Sequence, residues 1–212
     1  MSEKLNLKEL ERKAWRSFFD DGLWDIFLGL LLASMGVSGL LDHSSLTEDW
    51  GTTIYIGLLV VTMLSFWLAK RFITVPRIGR VKFGYKRKVR RIKTALVLFV
   101  SVVFGLIVMQ LTTATRSVIA TGIPWRAIMP AIWAISMLVV FEAMGYFLDS
   151  ERLYFIGLMY AIAIPLNEIL IALEVIRIGP YIFFVCGAIT VAMGIFYLVR
   201  FLNNYPVIQL HA

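Results

Sequence analysis

The chain is poor in almost everything from which soluble domains and metal centres are built. Charged residues fill 17% of its 212 positions, hydrophobic types reach 59% and the mean hydropathy is +0.80, which excludes a soluble globular domain. The one cysteine, Cys186, lies in an apolar run and excludes an intramolecular disulfide framework. His43, in a polar loop, and His211, beside the C-terminus, have no spacing that suits zinc, haem or an iron–sulfur cluster, so no metal or other cofactor is expected. Glycine-rich phosphate loops, nucleophile elbows and H-E-x-x-H motifs are missing too, and with them the usual signatures of an enzyme.

What the sequence has is apolar runs of about 20 residues, each long enough to cross a bilayer core of about 30 Å at 1.5 Å per residue. They fall roughly at Leu23 to Leu41, Thr52 to Ala69, Thr94 to Thr115, Ala127 to Leu148, Leu153 to Ile176 and Tyr181 to Leu202. The predicted fold is therefore all-α: a polytopic transmembrane bundle of six spans forming one domain over residues 23–202, with a tail at 203–212. With the N-terminus inside, 18 Lys or Arg flank the inner ends and 3 the outer ones, which sets both termini on the cytoplasmic side. The sequence pI of 9.7 comes from residues beside the spans, so anionic lipid headgroups rather than nucleic acid are the expected partner.

Residues 1–22 precede the first span. There Leu7, Leu10, Ala14 and Phe18 share one helical face against Lys4, Lys8, Arg12, Lys13 and Arg16. The pattern predicts an amphipathic helix, lying in the headgroup plane or docked on the protein's own cytoplasmic segments. It is not a cleaved signal peptide, since the charged region is long and mixed and no cleavage pattern follows the apolar run. Two hairpins look alike: Gly29 to Arg71 in the first and Gly157 to Arg200 in the last span nearly equal intervals, and Phe and Pro follow each arginine. That suggests a parallel repeat around a central pair of spans.

The segment Asp21-Gly22-Leu23-Trp24-Asp25, the basic Pro76-Arg77-Ile78-Gly79-Arg80-Val81 and the closing Arg200-Phe201 with Tyr205-Pro206 together resemble a group of prokaryotic integral membrane proteins of unassigned function. The resemblance covers most of the chain through short motifs. It implies a six-span protein of the plasma membrane and attaches no activity.

Charges inside a bilayer cost about 2.5–3.5 kcal/mol each at a helix centre, so the intramembrane acids are the candidate site. Glu142 lies six residues from the inner end of span four, about 9 Å deep, and Glu168 lies mid-span in span five. Beside Glu168 stand Asn167 and Pro165, whose missing N–H frees the carbonyl of Ala161. A broken helix carrying oxygens is how carriers hold a proton or cation. The competing reading is a neutral Glu168 hydrogen-bonded across a helix interface. Asp25, one turn from Asp21 at the start of span one, either completes a cytoplasmic cation site with Glu142 or forms an ion pair with the basic segment, while Asp21 caps the helix.

That basic segment, Lys70 to Lys93, is read as a cytoplasmic loop holding 11 basic residues in 24, with a turn near Pro76 and an extended arm from Val81 to Lys86. It sets topology and offers Arg77, Arg80, Lys82, Lys86, Arg87, Lys88, Arg90 and Arg91 to anionic headgroups. Small residues at Gly22, Gly29, Ala33 and Gly36, and at Gly187, Ala188, Ala192 and Gly194, form helix-packing stripes, within or between subunits. Three function classes remain: a proton- or cation-linked carrier or channel built on the carboxylates; a non-catalytic scaffold or regulatory component that engages lipid, a second copy or a partner membrane protein; and, with least in its favour, a lipid-modifying enzyme.

Overall fold

The computed structural model describes residues 21–41, 44, 47–78, 85–116, 125–173 and 180–206, with the backbone alone at 48, 78, 85–88, 91, 106, 108–116, 125–127 and 172. The amphipathic helix expected over residues 1–20 lies outside them, as do Arg80 and Lys82.

Every regular element among the described residues is helical. In chain order these are α1 (Leu23–Leu41), α2 (Glu48–Ala69), a π-helix (Lys70–Thr74), α3 (Val75–Ile78), α4 (Tyr85–Arg116), α5 (Trp125–Leu148), α6 (Arg152–Ala172) and α7 (Tyr181–Asn204). Five stretches are long and apolar enough to cross a membrane: Leu23–Leu41, Asp49–Arg77, Ile128–Leu148, Arg152–Ile171 and Tyr181–Asn204. In α4 the described apolar segment is the shorter Ile92–Gly105. Large apolar side chains such as Val61, Phe99 and Ile135 stand exposed along these helices, as fits a small integral membrane protein whose surroundings are lipid.

The chain divides into two compact units, residues 1–84 with 169–212, and residues 85–168. In the first, α1 packs chiefly on α7 and less closely on α2. Small residues make the α1–α7 approach close. A Cβ on Gly194 would stand 2.6 Å from the backbone nitrogen of Ile26, and one on Gly29 would stand 2.9 Å from the carbonyl of Gly187. Without side chains at these steps the two backbones meet directly, and dispersion contacts replace the hydrophobic drive that lipid cannot supply. The stripes expected from Gly22, Gly29, Gly36, Gly187 and Gly194 are thus used within the chain, whereas Ala188 and Ala192 are exposed.

In the second unit α4 packs along α5, and α5 and α6 are joined by a three-residue turn. Asp149 takes a left-handed conformation, φ 61°, and Ser150 N–H donates to Gly145 O at 3.1 Å, which closes the end of α5 in a Schellman-like cap. Gly157 of α6 lies against the Phe141 side chain, which also meets the Tyr160 ring at 4.9 Å. Gly29 and Gly157, matched in the repeat read from sequence, therefore have different partners: α7 for the first, α5 for the second.

The segment expected as a basic loop is largely helical where described. The apolar span of α2 runs on through the π-helix and α3, and Tyr85 and Lys86, expected in an extended arm, begin α4. Lysine and arginine favour helix, and alternation over six residues is too short to outweigh that. Pro76 explains the wide turn before it. It has no N–H to give, and Val75 N–H donates to Lys70 O five residues back.

Candidate functional site: a buried ion pair and exposed membrane carboxylates

The most enclosed polar cluster lies in the first unit, where the beginning of α1 meets the end of α2. Asp21 is fully buried and accepts three hydrogen bonds: from Leu23 N–H to Oδ1 at 3.2 Å, from Lys70 Nζ to Oδ2 at 2.6 Å and from the Thr74 hydroxyl to Oδ2 at 2.5 Å. Local sequence sets this up. The carboxyl two residues before Leu23 satisfies one of the helix's orphan donors, and Gly22, at φ 74°, turns the chain so that its own carbonyl receives Ile26 N–H at 3.1 Å. The π-helix supplies the other side, with Lys70 and Thr74 presented on one face to the same carboxylate oxygen.

Lys70 is 9% exposed, and its ammonium sits 6.0 Å from the Trp24 ring centroid and 5.9 Å from that of Phe66, within reach of both π faces. Phe27 stacks on Phe66 at 4.6 Å and extends the aromatic group. Asp25 is also buried, 2% exposed, four residues along from Asp21. Asp21, expected as a cap, both accepts from the first turn of α1 and pairs with Lys70. Lys70 and Thr74 are the residues that sequence reasoning missed. Lys70 is one of 11 cations in its segment, and the only signal that singles it out is its place directly after the last apolar residue of the span. Thr74 carries no signal beyond standing two residues before Pro76.

The intramembrane acids are arranged in the opposite way. Glu142 and Glu168 are both exposed, each on its own helix, and Asp25 belongs to the other unit from Glu142. Asn167 is 8% exposed with its Oδ1 lacking a hydrogen-bond partner among the described residues. The helix break expected at Pro165 is not seen, since α6 runs on through it; near it Trp133 Nε1 donates to the carbonyl of Tyr160 at 3.1 Å, so α5 supplies a donor next to the carbonyl of Ala161 that the proline leaves free. Among the described residues no group of three His, Cys, Asp or Glu could hold a metal ion.

Of the cations assigned to headgroups, Arg77 is half-buried. Its Nη1 donates to Ile73 O at 3.1 Å and its buried Nε has no hydrogen-bond partner among the described residues. Arg90 is exposed on the first turns of α4, whose backbone also carries Lys86, Arg87, Lys88 and Arg91. Lys93 lies over the Phe147 ring at 5.9 Å.

Compared with known proteins, the chain matches no family model, no curated protein and no solved structure.

Proposed function

We propose that the chain is a six-span protein of a prokaryotic plasma membrane, of the group its DGLWD and PRIGRV segments resemble, with both termini and the basic segment cytoplasmic. It acts as a non-catalytic membrane component. It binds anionic lipid through Arg77 and the basic first turns of α4, and another membrane-embedded protein surface through the carboxylate-bearing side of α5.

The observation that carries this reading is the exposure of Glu142 within a span. A carboxyl facing hydrocarbon costs a few kcal/mol, and a donor brought by a neighbouring protein surface removes that cost. The unsatisfied Nε of Arg77 supports the lipid contact, because a phosphate oxygen is the acceptor it lacks. A carrier is the second reading, favoured by the buried Oδ1 of Asn167, unpartnered among the described residues, beside Pro165 and Glu168, oxygens of the kind that hold a proton or cation.

Reconstitution separates the two. Purified protein in liposomes with an internal pH dye and an imposed potential or cation gradient is expected to leak no faster than empty vesicles. Flux that Glu168→Gln or Glu142→Gln abolishes would replace the component reading with the carrier.

A further inference from the structure

We propose that the outward face where α2 runs into the π-helix, formed by Trp67, Leu68, Arg71 and Phe72, holds the headgroup of one anionic phospholipid, with the Arg71 guanidinium on the phosphate and Phe72 against the first carbons of the acyl chains. The inference rests on reading the chain as a component that binds anionic lipid, and it adds a contact which that reading does not contain.

The two ends of α1 fix the depth. At one end Asp21 bonds Lys70, and at the other a Cβ on Gly51 would stand 3.8 Å from the Cβ of Leu41. Between them α1 has 19 residues and rises about 28 Å, which matches a hydrocarbon core of about 30 Å. The apolar stretch through α2, the π-helix and α3 is longer, 29 residues from Asp49 to Arg77, so it runs past α1 at the Lys70 end. Arg71 and Phe72 are the first residues beyond that level, where acyl chains give way to phosphates.

Lys70 and Thr74 turn inward to Asp21, while Trp67, Leu68, Arg71 and Phe72 are exposed, Phe72 to 68%. The same face continues along α2 as exposed Leu64, Val61 and Val60, a surface for lipid tails. The Arg71 guanidinium lies 5.2 Å from the Trp67 ring centroid and, among the described residues, has neither a carboxylate nor a hydrogen-bond acceptor. Resting one face on the ring leaves its N–H edge to fork onto a phosphate. The described chain has no anion to give it: Lys70 to Lys93 contains 11 cations and no Asp or Glu, and Asp21 and Asp25, the acids described at this end of the unit, are buried. Lipid supplies a phosphate at this depth all along the face. The headgroup is anionic rather than zwitterionic, because a choline ammonium would sit among the same cations.

The test places a fluorophore on a single cysteine in a Cys186→Ala background, at Leu68 or at Ile54 toward the other end of α2, with the protein in phosphatidylcholine vesicles. Brominated phosphatidylglycerol or brominated phosphatidylcholine is added at the same mole fraction as quencher. Beside Leu68 the anionic lipid is expected to be favoured by about fivefold, and beside Ile54 not at all. Arg71→Gln, on an exposed side chain, removes the preference, and Trp67→Leu weakens it by about twofold. Equal quenching by the two lipids beside Leu68, a preference that Arg71→Gln spares, or a label that neither lipid quenches would overturn the proposal. A preference beside Ile92 of α4 without one beside Leu68 would overturn this contact and keep the broader lipid reading, whereas no preference at either position would overturn both.

Discussion

Asp21, just before α1, and Glu142, within α5, are both carboxylates at helices made for a membrane, and the chain treats them in opposite ways. Asp21 is buried and receives three donors from its own chain, two of them brought by a π-helix that a proline two residues on makes favourable. Glu142 is exposed on an apolar stripe. The same difference separates whole helices: 39% of the apolar window of α1 is buried, against 6% for α2. What is satisfied internally fixes the fold, and what is left over marks where the chain meets lipid or another protein.

The comparison breaks most visibly at the ion pair. Lys70→Met leaves Asp21 buried and uncompensated and is expected to cost about 3–5 kcal/mol in denaturant titration, while adding Asp21→Asn recovers most of the loss. A double variant no more stable than Lys70→Met would show that the pair is not the source of the effect. Next come the glycines. Gly194→Ala forces a Cβ to 2.6 Å from the Ile26 nitrogen and is expected to cost about 1–3 kcal/mol, whereas Gly57→Ala on α2, with nothing within 4 Å, is neutral or gains up to about 1 kcal/mol. Equal melting temperatures for these two variants would remove the distinction between the packed and the open helix. The smallest effect is at the α5–α6 turn, where Asp149→Ala puts a residue less tolerant of the left-handed region at φ 61° and is expected to lower stability by up to about 1 kcal/mol, read by thermal melting.

Much of the helical layout is legible in the sequence, because membrane spans are written in long apolar runs. Leu23 to Leu41 is α1 residue for residue, and the C-terminal end of α5 at Leu148 coincides with that of its span. The basic segment is less legible. Charge density bears on which side of the membrane it is expected to lie and says nothing of its backbone, so helix propensity and Pro76 decide a structure that composition leaves open. The acids show the same limit. Hydropathy shows that Glu142 and Glu168 lie within spans, but which side of a helix they occupy depends on packing partners such as Gly157 and Tyr160, and one sequence does not pair its helices. Asp21 is legible as a cap and not as an ion-pair partner, since its cation comes from 49 residues further on.

The measurement closest to the central claim is water access to position 142. A cysteine replacing Glu142 in the Cys186→Ala background, in right-side-out and inverted vesicles, is treated with a small membrane-impermeant thiol reagent, with Arg71→Cys, exposed on the π-helix that follows α2, as the reactive control. A contact face predicts no labelling from either side until detergent disperses the membrane, while Arg71→Cys reacts from one side at once. Labelling of position 142 in intact vesicles would mean that water reaches the carboxylate, and would contradict the reading of this face as a docking surface.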